Sequence, residues 1–158
     1  MKSLFAPWRM EYLKGEEQKG CVFCRSSVRD DDLVLYEREY SFVIMNRYPY
    51  TAGHLLIVPV AHVSDLEGLT SNEKLEIFDM LSISVRVLKE AMNPEGFNIG
   101  ANLGKAAGAG VDDHLHVHVV PRWSGDTNFM TVLGETRVVP EDVGKTRDVL
   151  KPFFERLK

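Results

Sequence analysis

The chain is expected to fold as α+β, with an antiparallel sheet of about five strands carrying one long central helix and a C-terminal helix. Three observations lead there. Five short runs rich in β-branched and aromatic residues recur along the chain, most of them joined by links too short for a parallel crossover. A single long segment shows helical periodicity, and it falls between the third and fourth runs. With 158 residues, 44% hydrophobic and 27% charged, the chain supports one core and has no room for a second domain, so residues 1–158 read as a single domain.

Residues 1–20 read as an irregular N-terminal arm with aromatic anchors Phe5, Trp8 and Tyr12 and a polar end. Residues 34–37 and 40–46 are expected strands joined by a tight polar turn, and residues 55–59 a third that Pro59 terminates. Thr70 and Glu73 form a T-x-x-E capping box, after which Phe78, Leu81, Val85, Leu88 and Met92 recur at three- and four-residue steps. That stripe is expected to be core, and Asn93-Pro94 ends the helix. Residues 97–102 form the fourth strand, residues 103–110 a glycine-rich loop and residues 114–120 the fifth strand. Residues 140–157 predict the C-terminal helix, with Pro140 in its first turn and Val143, Val149, Leu150, Phe153 and Leu157 as apolar contacts.

The net charge of −4 argues against a broad footprint on duplex nucleic acid but not against a small nucleotide in a local pocket. No run approaches the roughly 20 apolar residues of a membrane span, and the first residues lack the apolar stretch of a signal peptide. A cytoplasmic protein without nucleic-acid or membrane partners is expected. Cys21 and Cys24, the only cysteines, form one C-x-x-C, which in an intracellular chain means a metal half-site or a redox dithiol more often than a structural disulfide. No strand pattern precedes the pair, so a metal is the better reading; the other ligands must be histidines or carboxylates.

The most informative segment is His114-Leu115-His116-Val117-His118-Val119-Val120-Pro121. Read as a strand, it puts three imidazoles on one face and Leu115, Val117 and Val119 on the other. One histidine alone is more often a satisfied core or surface residue; three in strict alternation suit a metal ion or a phosphoryl group. Gly104, Gly108 and Gly110, just upstream, allow backbone N–H groups to approach an anion. The loop is neither a Walker A motif nor a dinucleotide fingerprint.

This run, H-L-H-V-H-V-V, together with Gly53-His54, resembles the histidine triad superfamily of nucleotidyl transferases and hydrolases. The string from His118 to Phe129 and the arm Ala6-Pro7-Trp8-Arg9-Met10-Glu11-Tyr12 are similar to the bacterial branch containing diadenosine tetraphosphate phosphorylases. The resemblance implies a HIT-like fold, a two-fold homodimer whose sheets join, and cleavage of dinucleoside polyphosphates by a covalent nucleotidyl-histidine intermediate, with phosphate as the expected acceptor. It makes His116 the nucleophile, with His118 beside the phosphoryl oxygens and His54 completing the pocket. It also places Asn102, Gly108, Ala109 and Gly110 on the phosphates and Asn46 on the ribose. Trp123 reads equally as a packing residue or a substrate contact.

Relatives often carry Gly-Gln-Ser/Thr-Val ahead of the triad, whereas this chain has Gly108-Ala109-Gly110-Val111 and one more residue before His114. An amide and a hydroxyl are thus missing, and backbone N–H groups of Ala109 and Gly110 are the available replacements. The resemblance also implies a structural zinc held by Cys21, Cys24, His62 and His114. No organic cofactor is expected, and magnesium only as a companion of the substrate. Three other readings stand beside this one: a nucleoside phosphoramidase or dinucleoside polyphosphate hydrolase, a hydrolase with catalytic zinc on the triad, and a nucleotide-binding module without chemistry.

Overall fold

The computed structural model describes residues 20–28, 31–126 and 141–157. The aromatic anchors of the arm, the segment Thr127-Asn128-Phe129 and Pro140 lie outside these residues. Five strands form one sheet: β1 (Val34–Glu37), β2 (Ser41–Met45), β3 (Leu55–Pro59), β4 (Gly96–Gly100) and β5 (Val117–Arg122). Their spatial order is β1-β2-β3-β5-β4, and every neighbouring pair is antiparallel. The expected fold class therefore holds. Among the described residues no helix is long and apolar enough to cross a membrane.

A one-turn helix α1 (Arg25–Val28) follows the C-x-x-C. The long helix α2 (Ser71–Met92) begins at the expected capping box, in which the Thr70 side chain accepts from Glu73 N–H and the Glu73 carboxylate accepts from Thr70 N–H. It ends at Asn93, which adopts the left-handed conformation ahead of Pro94. α2 packs on β2, β3 and β5, and α3 (Val143–Glu155) packs on α2 and β1.

The helix stripe differs from expectation. Ile77, Met80, Leu81, Ser84, Val87 and Leu88 are buried, while Phe78 is 70% exposed and Val85 and Met92 are only partly covered. A three/four-residue pattern fits two adjacent arcs of a helix almost equally, and the sheet selects the arc one residue earlier. In α3 the buried residues are Thr146, Leu150 and Phe154, whereas Val149 is exposed. Its N-terminus is set by Asp142, whose carboxylate accepts from the N–H groups of Gly144 and Lys145.

The fifth strand is also shorter at its start than expected. Ladder pairing begins at Val117, so His114 and His116 sit in the extended lead-in and only His118 lies within the strand. The reason is that Leu115 N–H donates to Val63 O, in the loop beyond β3, at 2.6 Å. Leu115, Val117 and Val119 are nonetheless buried on the core side, as the alternation requires. His118 is central in the sheet, with Leu56 opposite on β3 and Gly100 opposite on β4.

Candidate active site and metal cluster

The site begins with a glycine. Gly53 has φ +78°, and a Cβ there would lie 2.8 Å from Met92 Sδ and 3.1 Å from Leu88 Cδ2, so neither the conformation nor the space admits a side chain. The turn between β2 and β3 is thereby pressed against the end of α2, and the next residue, His54, enters the protein fully buried. Tyr50 N–H donates to His54 Nδ1 at 3.0 Å. That nitrogen must be the acceptor, so the proton of neutral His54 is on Nε2, which lies 2.9 Å from His118 Nδ1. The His118 proton is in turn on Nε2, a buried atom with no hydrogen-bond partner among the described residues. Two hydrogen bonds thus carry a tautomer from a backbone amide to a vacant N–H donor.

The opposite polarity is built at His116. Its Nδ1 lies 2.9 Å from the His114 carbonyl oxygen, which can only accept, so Nδ1 carries the proton and Nε2 the lone pair. The His116 and His118 ring centroids are 5.0 Å apart. A ring with a lone-pair nitrogen and a ring with a hydrogen-bond donor are therefore neighbours, the two functions that attack on a phosphorus and stabilisation of its oxygens require.

His114 faces elsewhere. Its Nε2 donates to Pro59 O at 2.9 Å, which leaves Nδ1 unprotonated, 3.2 Å from Cys21 Sγ and 3.3 Å from His62 Nδ1. Cys24 Sγ lies 3.3 Å from the same His62 nitrogen, and all four ligand atoms fall within 4.8 Å of one another. Tetrahedral zinc with ordinary Zn–S and Zn–N lengths would set its ligand atoms roughly 3.3–3.8 Å apart. The cluster is already near that size, and the Pro59 carbonyl that accepts from His114 Nε2 fixes the ring. The residues could hold a metal ion, and both cysteines are free thiols.

The family model for the HIT domain matches residues 28–125. The chain belongs to the HIT domain family. It is 38% identical to the AP-4-A phosphorylase of Mycobacterium tuberculosis, over 99% of this chain and 86% of the relative. It is also 34% identical to the bis(5'-adenosyl)-triphosphatase of Saccharomyces cerevisiae, over 57% of this chain and 44% of that protein. A zinc-bound histidine triad family protein from Mycobacterium smegmatis superposes with a TM-score of 0.70 at 31% identity, covering 87% of this chain and 94% of that one.

In this HIT domain a cavity of about 420 Å³ opens over the sheet beside His118. Asn98 and Gly100 from β4 and Val120 and Arg122 from β5 form its floor, with Tyr50, Thr51 and Asn102 around the rim. Of the residues singled out in the sequence, His118 and Asn102 line it, and Asn102 Nδ2 donates to Gly108 O, tying the glycine loop to the rim. His54 stands behind His118. Asn46 is set against His54, its amide nitrogen 3.3 and 3.4 Å from the two ring nitrogens. His116, buried next to His118, is not among the lining residues, nor are Gly108, Ala109, Gly110 and Trp123, whose indole N–H donates to Asn93 O.

Two residues that the sequence reading passed over are prominent. Tyr50 donates to His54 and stacks on His118 at 5.8 Å and 14°. Phe23 lies against His116 at 4.9 Å. Phe23 was legible in principle as the inner residue of C-x-x-C; Tyr50 had no sequence signal, because its role depends on a loop conformation.

Burial, and secondarily the nearby His116, pushes the His118 pKa below the usual histidine range; burial does the same at His114. The unfolded chain therefore binds more protons than the folded one once the pH drops below the ordinary histidine value of about 6.5. The stability that the neutral rings contribute is full above that pH and is lost as the pH falls. Protonating His118 at Nδ1 would also set two donors against each other at His54. Thermal unfolding followed from pH 7.5 to 4.5 should show a midpoint that holds down to about 6.5 and then falls, with kcat declining only once the pH is below the ordinary histidine range; a flat profile in both would contradict the burial of neutral rings.

Proposed function

We propose that this HIT domain is an enzyme that cleaves dinucleoside polyphosphates of the diadenosine tetraphosphate type through a nucleotidyl-histidine on His116, with inorganic phosphate as acceptor. The observation that carries the reading is the hydrogen bond from His116 Nδ1 to His114 O, which leaves Nε2 as a neutral nucleophile. The name of the 38% identical mycobacterial relative supports the substrate class.

In the first step Nε2 attacks the α-phosphorus. The P–N bond forms as the P–O bond to the remaining phosphates breaks, and the electron pair leaves with the polyphosphate, which needs no proton near pH 7. His118 Nε2–H hydrogen-bonds the phosphoryl oxygens as charge gathers on them. In the second step a phosphate oxygen attacks the same phosphorus and the P–N electron pair returns to Nε2. Asn102 at the cavity rim holds the phosphates, the glycine loop tied to it through Gly108 O is positioned away from the cavity, and Asn46 keeps the ribose side beside His54. The imidazoles that a catalytic zinc would need are spent on each other and on a carbonyl, which favours the covalent route.

Incubation with diadenosine tetraphosphate, with and without phosphate, tests the assignment. ADP plus ATP formed only with phosphate is the expected result. AMP plus ATP would make the chain a hydrolase, and nucleotide binding without products over hours would make it a binding module. His118→Ala is expected to lower kcat by roughly 10²–10³-fold, the usual cost of one oriented donor, with KM changed far less.

The Cys21, Cys24, His62 and His114 set fits zinc, and with four protein ligands it has no position for a reacting water, so its role is structural. Magnesium enters as a companion of the polyphosphate, and no organic cofactor is needed. A homodimer is part of the proposal. Among the described residues the outer edge of β4 pairs with no strand, and Ile99 on it is half exposed. A two-fold partner adding its own β4 would continue the sheet and cover that edge. The nucleotide substrate and thiol ligands also suit a cytoplasmic setting.

A further inference from the structure

We propose that Phe23 is a positioning residue that couples the Cys₂His₂ cluster to the orientation of the nucleophile His116. The inference rests on His116 acting as the nucleophile. Phe23 lies between the two cysteines, and its N–H donates to Cys21 Sγ at 3.4 Å, so the Cys21 thiol fixes its backbone. The neighbouring Val22 is exposed, while Phe23 turns inward and packs against the core. Its ring meets His116 at 4.9 Å and 43°, and the edge of His114 at 6.0 Å and 75°.

Two lines therefore run from the cluster to one imidazole. One passes through His114, which offers Nδ1 to the cluster and its carbonyl oxygen to His116 Nδ1. The other passes through Phe23, which bears on the ring of His116, opposite in role to the His118 contact at 5.0 Å. A single hydrogen bond at Nδ1 leaves the imidazole free to swing about that bond; a ring packed against it removes the freedom. Phosphoryl transfer needs the lone pair aligned with the bond that breaks, and small misplacements of a nucleophile are costly in rate. A residue acting in this way changes kcat and leaves substrate affinity alone, whereas one that merely fills the core changes stability.

The experiment compares wild type, Phe23→Ala, Phe23→Leu, Cys21→Ser/Cys24→Ser and the triple variant, each assayed for bound zinc, kcat and KM well below its unfolding temperature. Substrate-free ¹⁵N spectra of the imidazoles report the His116 tautomer. Phe23→Ala should lower kcat about 10–100-fold with KM within about twofold, and Phe23→Leu should recover most of the loss. The cysteine variant should fall similarly, and the triple variant no further than either, because the changes interrupt one coupling. His116 should be a single Nδ1–H tautomer in wild type and a mixture in Phe23→Ala and in the metal-free protein. Wild-type kcat and tautomer in Phe23→Ala, or losses that multiply in the triple variant, would overturn the coupling. If Phe23→Ala does not fold, stepwise removal of zinc from wild type reads the same tautomer. Failure of wild type to cleave any polyphosphate would instead count against the proposed function, leaving the spectra to decide the coupling.

Discussion

Replacing His116 by asparagine is expected to end turnover, lowering kcat by at least ~10⁴-fold, because it removes the ring whose Nδ1 proton is fixed by a carbonyl and whose Nε2 keeps the lone pair for attack. His118 cannot substitute. Its Nδ1 is occupied by the donor from His54, and its buried Nε2 carries the proton, so the ring has a hydrogen where a nucleophile must have a lone pair. His54 is buried behind it with Nδ1 held by Tyr50 N–H. The asparagine fits the volume of the imidazole and leaves the fold intact, so the unfolding midpoint should shift little. Wild-type protein quenched in acid-sparing conditions during turnover should carry a phosphoramidate-linked nucleotide that the variant lacks. Retained turnover, or an intermediate that survives the substitution, would place the chemistry on another residue.

The second large effect is expected from the metal cluster. Purified without chelator, the protein should contain about one zinc per chain, and Cys21→Ser/Cys24→Ser should contain none. Structural zinc in peptides that fold only with metal stabilises by roughly 10–16 kcal/mol, but here a core of some two dozen buried side chains stands behind the cluster, so only part of that is at stake. A loss of about 3–5 kcal/mol corresponds to a fall of roughly 10–15 °C in Tm for a chain of this size. Four donors brought within 4.8 Å of one another without their ion leave two thiols and two imidazoles crowded and poorly paired, and that is where the loss arises. Turnover should persist at a reduced level in the metal-free protein. Complete loss of chemistry with stability preserved would point to a catalytic metal. Wild type that carries no zinc when purified without chelator, together with a cysteine variant that loses no stability, would remove the metal from the account.

Much of the architecture was legible because it rests on local rules. Thr70 and Glu73 announced the start of α2, Asn93-Pro94 its end, and the β-branched runs at 34–37 and 55–59 matched β1 and β3 at both ends. The histidine alternation likewise pointed to His116 and His118, which the fold sets 5.0 Å apart, and the C-x-x-C to two of the four residues whose ligand atoms converge. What went astray depended on partners distant in sequence. Phe78 fits the helical stripe as well as Ile77 does, and only the angle at which β2, β3 and β5 receive the helix chooses between them. The strand was extended back to His114 because alternation continues there, whereas the Leu115–Val63 hydrogen bond diverts the backbone before the ladder begins.

The sequence by itself determined the sheet, the long helix, the histidines on which the proposed phosphoryl chemistry rests and, through the family resemblance, the four residues that could hold a metal. Tertiary structure decided the protonation of each ring. Three histidines two residues apart are chemically alike on paper, but a carbonyl at His116 Nδ1, a donating His54 at His118 Nδ1 and a carbonyl at His114 Nε2 leave a lone pair on His116 Nε2, a proton on His118 Nε2 and a lone pair on His114 Nδ1. A tautomer is set by what faces each nitrogen across space, and no spacing along a chain encodes that.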